Sequence, residues 1–221
     1  MPAYLLLPAI AGVVGYLIGS ISFAVIVARR HGVDILKAGS GNPGATNVKR
    51  VCGKKPGNIV FGLDVLKGMV ASGWPGVLAW IITDIPEGWF SPNALLYAQL
   101  TGFAGAVLGH CFSLFLKFKG GKGVSVSVGG LCGTLPPCLV VSAFTWLFFY
   151  FTTRYVSVAS LVAAASLPVT AALWWDIRDP RFYLCIGIAI FVFFTHRSNI
   201  KRLLRGEESR FSKKRDEEAK P

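Results

Sequence analysis

The sequence predicts an all-α fold: a polytopic membrane protein of seven transmembrane helices, one of them short, with the N-terminus outside and the C-terminus cytoplasmic. Three observations predict it. Of 221 residues, 53% are hydrophobic and only 15% charged, with a mean hydropathy of +0.55, a balance that water-exposed domains rarely show. The apolar residues gather into runs of span length, roughly 17–25 residues being what a helix needs to cross a bilayer. The 23 Lys and Arg, which give a net charge of +12, cluster between those runs. Cationic loops on the cytoplasmic side account for such clusters better than a nucleic-acid face, so no nucleic-acid partner is expected.

The first run, 4–28, has no basic n-region and no small-residue cleavage site, and it stops at Arg29-Arg30. It reads as an uncleaved span rather than a signal peptide. Further spans are expected over 58–82, 94–116, 136–153, 157–175 and 181–196. The run 123–134, between "FKGGKG" and "LPP", is too short for an upright crossing and predicts a short helix with a broken N-terminus.

Charge sets the orientation. If all seven segments cross from an outside N-terminus, then 29–57, 117–122, the Arg154 turn and the tail from Arg197 lie inside. Outside lie 83–93, the "LPP" turn and 174–181, and Arg178 and Arg181 are the only cations there. Without the short segment, "KFKGGKG" and the tail emerge on opposite faces. A cation costs about 2.5–3.5 kcal/mol at a span centre, and the bias of Lys and Arg among loops sets topology. Residues 1–205 are thus expected to form a single seven-span domain with cytoplasmic Gly-rich loops, and 206–221 a charged, flexible cytoplasmic tail. The five cysteines show neither a CxxC pair nor metal-ligand spacing. They read as small hydrophobes, with no metal and no cofactor expected.

Four polar clusters fall at the expected cytoplasmic face. In "AGSGNPGATNVKR", Gly39, Gly41 and Gly44 permit backbone turns whose N–H groups converge on an anion, and Ser40, Asn42, Thr46 and Asn47 add neutral donors. "GATNVKRV" can open a short helix, with Arg50 able to fork onto phosphate oxygens. In "FKGGKG", Gly120, Gly121 and Gly123 flank Lys122 at the start of the short helix, without Walker spacing. In "LDVLKGM", Asp64 and Lys67 share one helical face within an apolar run, which fits a ligand site and a structural ion pair equally well. In "THRSNIKRLLRGEE", His196 and Asn199 share a face at the end of the last span. His110 reads as a second interfacial histidine, and Ser157 and Ser160 open the sixth span. A pocket of anion donors at one membrane face is the expected outcome.

Read in order, "GSISFAVIVARRHGVDILKAGSGNPGATNVKRVCGKKPG", "LDVLKG", "GHCFSLFLKFKGGKG" and "HRSNIKRLLRGEE" resemble the bacterial acyl-phosphate:glycerol-3-phosphate acyltransferase family, PlsY, over about residues 10–208. The resemblance implies a seven-span enzyme of the bacterial cytoplasmic (inner) membrane with its active site facing the cytoplasm. Its partners would be acyl phosphate, glycerol 3-phosphate and membrane lipid, and a functional monomer is compatible with it. The implied reaction moves a fatty acyl group to the sn-1 hydroxyl of glycerol 3-phosphate. It gives lysophosphatidate and inorganic phosphate, the first step of phospholipid synthesis. Ser40, Asn42, Arg50, Lys122, His196 and Asn199 would be catalytic. Gly39, Gly41, Gly44, Thr46, Asn47, Asp64, Lys67, Gly120, Gly121, Gly123, Ser157, Ser160 and Glu208 would bind substrate, Glu208 through a stabilising salt bridge.

This chain departs from the family pattern in places. It has Ser113 where the family has Pro, and Val124-Ser125-Val126 where the family has Val-Ala-Thr, leaving Ser125 or Ser127 as the replacement hydroxyl. Ser157 matches the serine pattern better than Ser160. The main rival reading is an organic-phosphate transporter, which would use broken helices aimed at an anion.

Overall fold

The computed structural model describes residues 3–82 and 89–210. The expected outer loop 83–93 lies outside them at 83–88, and the expected tail lies outside them from 211. Among the described residues the chain is all-helical, apart from one isolated antiparallel bridge between Ser113 and Lys119. The helices cluster into two compact units, Met1–Leu135 and Pro136–Pro221.

The first unit begins with α1 (Ala3–Ser20) and α2 (Phe23–Arg30). One continuous span was expected over 4–28, but the helix breaks at Ile21-Ser22. Serine hydroxyls compete with the helical ladder for backbone partners. Ser22 leaves that ladder to cap α2, its Oγ accepting from Val25 N at 3.4 Å. Next come α3 (Ala45–Cys52), the short helix expected from "GATNVKRV", and α4 (Lys54–Ile81), which starts earlier than the expected 58. Helix α5 (Pro92–Cys111) is capped by Ser91 Oγ, which accepts from Ala94 N at 3.3 Å. It stops at Cys111 rather than 116. There the chain turns through a 3-10 segment, Leu114–Leu116, and through Lys117 and Phe118 at φ 54° and 60°. Left-handed backbone is costly for such side chains. Helix α6 (Val124–Thr134) follows Gly123, whose φ of +84° opens it, and is the expected short helix.

Small residues let this unit pack closely. Carbon added at Gly15, Gly19, Gly105 or Gly109 would run into the backbone of the opposite helix in the α1–α5 pair. Gly15-xxx-Gly19 and Gly105-xxx-Gly109 thus act as small-xxx-small seams, which drive helix association where lipid removes the hydrophobic incentive. The α4–α6 contact works alike, Gly68 facing Val126 O and Gly129 facing Val65 O.

The second unit holds α7 (Pro136–Thr153), α8 (Val156–Trp174), α9 (Pro180–Thr195) and α10 (Arg197–Leu204). The last of these was not expected as a separate helix. His196 marks a bend of 57° between α9 and α10.

Among the described residues, four segments are long and apolar enough to cross a membrane: Leu5–Arg30, Pro92–Cys111, Pro136–Thr153 and Val156–Trp174. The bent pair α9–α10 makes a fifth. The 28-residue α4, which carries Asp64 and Lys67 inside it, is not among the four. Large apolar side chains such as Trp80, Phe144, Phe148 and Leu173 point outward, more than 60% exposed. Water would penalise such a surface and lipid does not. The chain is a multi-pass membrane protein.

Candidate active site

In the first unit, residues 38–50 form a loop closed by one side chain. Asn47 is buried at the start of α3. Its Oδ1 accepts from Ser40 N at 3.0 Å, and its Nδ2 donates to Ala38 O at 3.0 Å and Ile35 O at 3.4 Å. The turn this closes needs Gly39 and Gly41 at φ +59° and +69°, and a Cβ on Gly39 would strike the Asn47 amide. Glycine is therefore required at 39 twice over, by conformation and by contact. Ser40 and Arg50 are exposed, while Asn42 and Thr46 are half-buried. Gly44 caps α3 with no side-chain bond. The first N–H groups of that helix thus receive no side-chain cap from Gly44, which Asn42 Nδ2 approaches, an arrangement that favours an anion.

The loop bearing Lys122 is held by a buried polar hub. Lys67 Nζ lies 2.9 Å from Asp64 Oδ1 and 3.1 Å from His110 Nδ1, and donates to Ile21 O at 2.7 Å. Asp64 Oδ1 lies 3.7 Å from His110 Nδ1. The Lys67–Asp64 contact is an ion pair rather than a well-angled hydrogen bond, since neither carboxylate oxygen receives one. Gly121 sits on the imidazole and donates its N–H to His110 O at 3.0 Å, while Gly120 presses on the carbonyls of His110 and Cys111. Half-buried Lys122 and buried Gly123 follow directly. Ser127, one turn into α6, is buried with its hydroxyl unbonded, and Ser125 is half-buried.

The second unit has its own polar cluster. His196 is buried at the α9–α10 bend, its Nδ1 2.8 Å from Val192 O. A carbonyl only accepts, so Nδ1 carries the proton and the ring's acid–base chemistry is left to Nε2. Asn199 Nδ2 donates to Glu208 Oε1 at 2.6 Å, and Arg202 Nε pairs with Glu208 Oε2 at 2.7 Å. Burial works to raise the Glu208 carboxyl. The donors Asn199 and Arg202, the nearby Ser157 hydroxyl and the Arg202 charge outweigh it and hold the group below the usual glutamate range. Ser157 Oγ contributes by proximity, as it makes no hydrogen bond of good geometry. Ser160 is turned elsewhere, accepting from Trp146 Nε1 at 3.2 Å. Arg210 reaches Tyr155, donating to its hydroxyl at 2.8 Å.

The structure thus brings Gly39, Ser40, Gly41, Asn42, Gly44, Thr46, Asn47 and Arg50 into one loop. Asp64 and Lys67 join Gly120 and Gly121 through His110. In the second unit Asn199, Glu208 and Ser157 gather. Sequence reasoning missed His110 as the hub and Tyr155 and Arg210 as a tail clasp. The i,i+3 spacing of Asp64 and Lys67 signalled their own pairing, but no spacing links them to a histidine on another helix.

The sequence matches the family model described as glycerol-3-phosphate acyltransferase over residues 9–206. Glycerol-3-phosphate acyltransferase of Bradyrhizobium diazoefficiens is 43% identical over 93% of this chain and 96% of its own. That of Aquifex aeolicus is 38% identical over 89% and 95%. Among solved structures, PlsY, an integral membrane glycerol 3-phosphate acyltransferase, superposes in its glycerol 3-phosphate form with a TM-score of 0.78. Identity there is 34%, over 95% of this chain and 96% of that one. Its lysophosphatidic acid form gives 0.75 at 35% identity, over 93% and 95%. The chain belongs to the glycerol-3-phosphate acyltransferase family.

Proposed function

We propose that the chain moves a fatty acyl group from acyl phosphate to the sn-1 hydroxyl of glycerol 3-phosphate, releasing 1-acyl-glycerol 3-phosphate and inorganic phosphate. The Gly39–Arg50 loop carries the reading. It offers backbone N–H groups, neutral hydroxyl and amide donors and one guanidinium, and it contains no carboxylate. Such a site suits phosphate and a developing oxyanion.

The hydroxyl oxygen attacks the acyl carbon, and the bond from that carbon to the phosphate oxygen breaks. The proton of the attacking hydroxyl leaves with the phosphate, which is basic enough to take it. A mixed anhydride is already activated, so positioning supplies much of the rate; well-oriented partners reach effective molarities of about 10⁵–10⁸ M. Ser40 and Asn42 hold the acyl phosphate, with Gly39, Gly41, Gly44 and Thr46 supplying the surrounding donors. Arg50 and Lys122 are assigned to the phosphate of glycerol 3-phosphate, and the family resemblance gives His196 and Asn199 roles in the same reaction. The glycines around Lys122 let phosphate approach the backbone. Ser157 and Glu208 support Asn199.

The same reading places seven crossings in the membrane: α1 with α2 as one, then α4, α5, α6, α7, α8 and α9. Charge supports an outside N-terminus and a site on the cytoplasmic side of a bacterial inner membrane, because Arg178 and Arg181 alone among the cations then lie outside. The relatives give no support to an organic-phosphate transporter, being named acyltransferases.

The deciding assay uses the full chain in detergent micelles and compares acyl phosphate, acyl-CoA and acyl carrier protein as donors. Phosphate release that needs both acyl phosphate and glycerol 3-phosphate is the expected result. Release indifferent to glycerol 3-phosphate would end the proposal. Arg50→Ala and Lys122→Ala should each raise KM for glycerol 3-phosphate by about tenfold or more, the loss of one charge-assisted contact being about 1.5–3 kcal/mol.

A further inference from the structure

The first unit contains a charged cluster that is almost wholly buried. Asp64 is 1% exposed, Lys67 4% and His110 8%. Burying two opposite charges is costly, and a matched pair is often no better than apolar residues of the same volume. Stability alone therefore gives little reason for them, and what they hold in place becomes informative.

Three breaks in regular structure meet at this cluster. The first is the α1–α2 break, where the Ile21 carbonyl is taken by Lys67 Nζ at 2.7 Å. Its neighbour, the Ser20 carbonyl, accepts from Ser113 Oγ at 2.6 Å, and Ser20 Oγ accepts in return from Leu114 N at 3.3 Å. The second is the end of α5, one residue beyond His110. The third is Gly120-Gly121, stacked on His110. An ammonium only donates, so His110 Nδ1 accepts from Lys67 and the ring proton sits on Nε2, the edge turned to Gly121. The ring is thus fixed at both ends. Asp64 holds Lys67, Lys67 holds the imidazole, and the imidazole and its own carbonyl hold Gly121, one residue before Lys122.

We propose that Asp64, Lys67 and His110 form a positioning triad that sets the backbone of Gly120–Gly123 and thereby the place of the Lys122 ammonium. None of the three touches substrate; they act through Lys122. That role deepens the acyl-transfer reading and rests on it for what Lys122 binds. Only glycine at 121 lets the loop lie on the ring, because a Cβ there would overlap Nε2. The triad and the glycine-rich segment are therefore one device, seen from its two sides.

The test uses the full chain in micelles and three variants. His110→Phe keeps the ring volume and removes both nitrogens; His110→Asn returns an acceptor near the Nδ1 position; Gly121→Ala disturbs the same contact from the loop. Hydrogen exchange of the Gly120–Gly123 amides should quicken about tenfold in His110→Phe and Gly121→Ala and recover in part in His110→Asn. KM for glycerol 3-phosphate should rise about tenfold in His110→Phe. In a Lys122→Ala background the same change should add less than about twofold, as expected of residues acting as one unit. Unchanged exchange in both loop-disturbing variants would overturn the triad, as would a His110→Phe effect that multiplies fully with Lys122→Ala. If the unaltered chain moves no acyl group while exchange responds as stated, the acyl-transfer reading falls and the triad stands.

Discussion

Asn47 Oδ1 accepts the Ser40 amide at 3.0 Å across seven residues, so a buried side chain closes the glycine loop where no backbone ladder does. The same amide group donates to two carbonyls, Ala38 O and Ile35 O. Asn47→Asp should therefore be harsher than its size suggests. A carboxylate still accepts from Ser40, but it leaves Ile35 O without its donor, leaves Ala38 O with only the Gly41 N–H, and buries a charge. Each orphaned buried group costs about 1–3 kcal/mol. The expected outcome is a lower melting temperature in micelles and a loss of kcat/KM of at least about tenfold, because Ser40 and Asn42 ride on the loop. Unchanged kinetics for Asn47→Asp would show that the loop's shape does not matter to the reaction.

The Glu208 clasp predicts acid sensitivity. Its carboxyl titrates below the usual range in the folded chain. The stability it contributes is thus fully present above the unfolded value of about 4.3 and is lost as pH falls through the folded value. Melting temperature measured from pH 7 downward should fall more steeply for the unaltered chain than for Glu208→Gln, which cannot titrate. At pH 7 the variant should melt lower, having lost the Arg202 pair. Parallel pH profiles for the two proteins would remove Glu208 from the account.

What was legible in the sequence follows from range. The all-helical class, the short helix before "LPP" and the helix opened by "GATN" were readable because apolar period and glycine punctuation act within a few residues. The break at Ile21-Ser22 was not, since Ser20 sits in an apolar run and its partners, Leu114 and Ser113, lie more than ninety residues away. The hub at His110 was hidden likewise. His110 read as an interfacial anchor, and only the packing of α4 against α5 brings it to Lys67. Asn47 read as a substrate donor, since its type and loop position are those of one; that its amide is spent on the loop's own backbone appears only in three dimensions.

The buried ion pair gives a test that does not depend on catalysis. Removing one partner of such a pair strands a charge and costs about 3–5 kcal/mol, while removing both can be nearly neutral. Asp64→Asn and Lys67→Met should each lower the melting temperature, and the double variant should melt above either single one. The cycle is expected to show coupling of at least about 1 kcal/mol between the two positions. Additive losses would mean that the 2.9 Å contact carries no energy.

The α1–α5 seam predicts which glycines resist enlargement. At Gly15 a Cβ meets Gly102 O, and at Gly109 it meets Tyr16 O and Ser20 N. Backbone cannot yield as a side chain can, so the helices must separate to admit any larger residue. Gly62, on exposed α4 surface, has nothing within 4 Å. Gly15→Leu and Gly109→Leu should therefore destabilise by about 1–3 kcal/mol or prevent folding, whereas Gly62→Leu, which adds apolar surface facing lipid, should leave the melting temperature near that of the unaltered chain. Because Gly109 precedes His110, its variant should also quicken amide exchange at Gly121 through the displaced imidazole. A Gly109→Leu protein that melts like Gly62→Leu would contradict the close packing of the two helices.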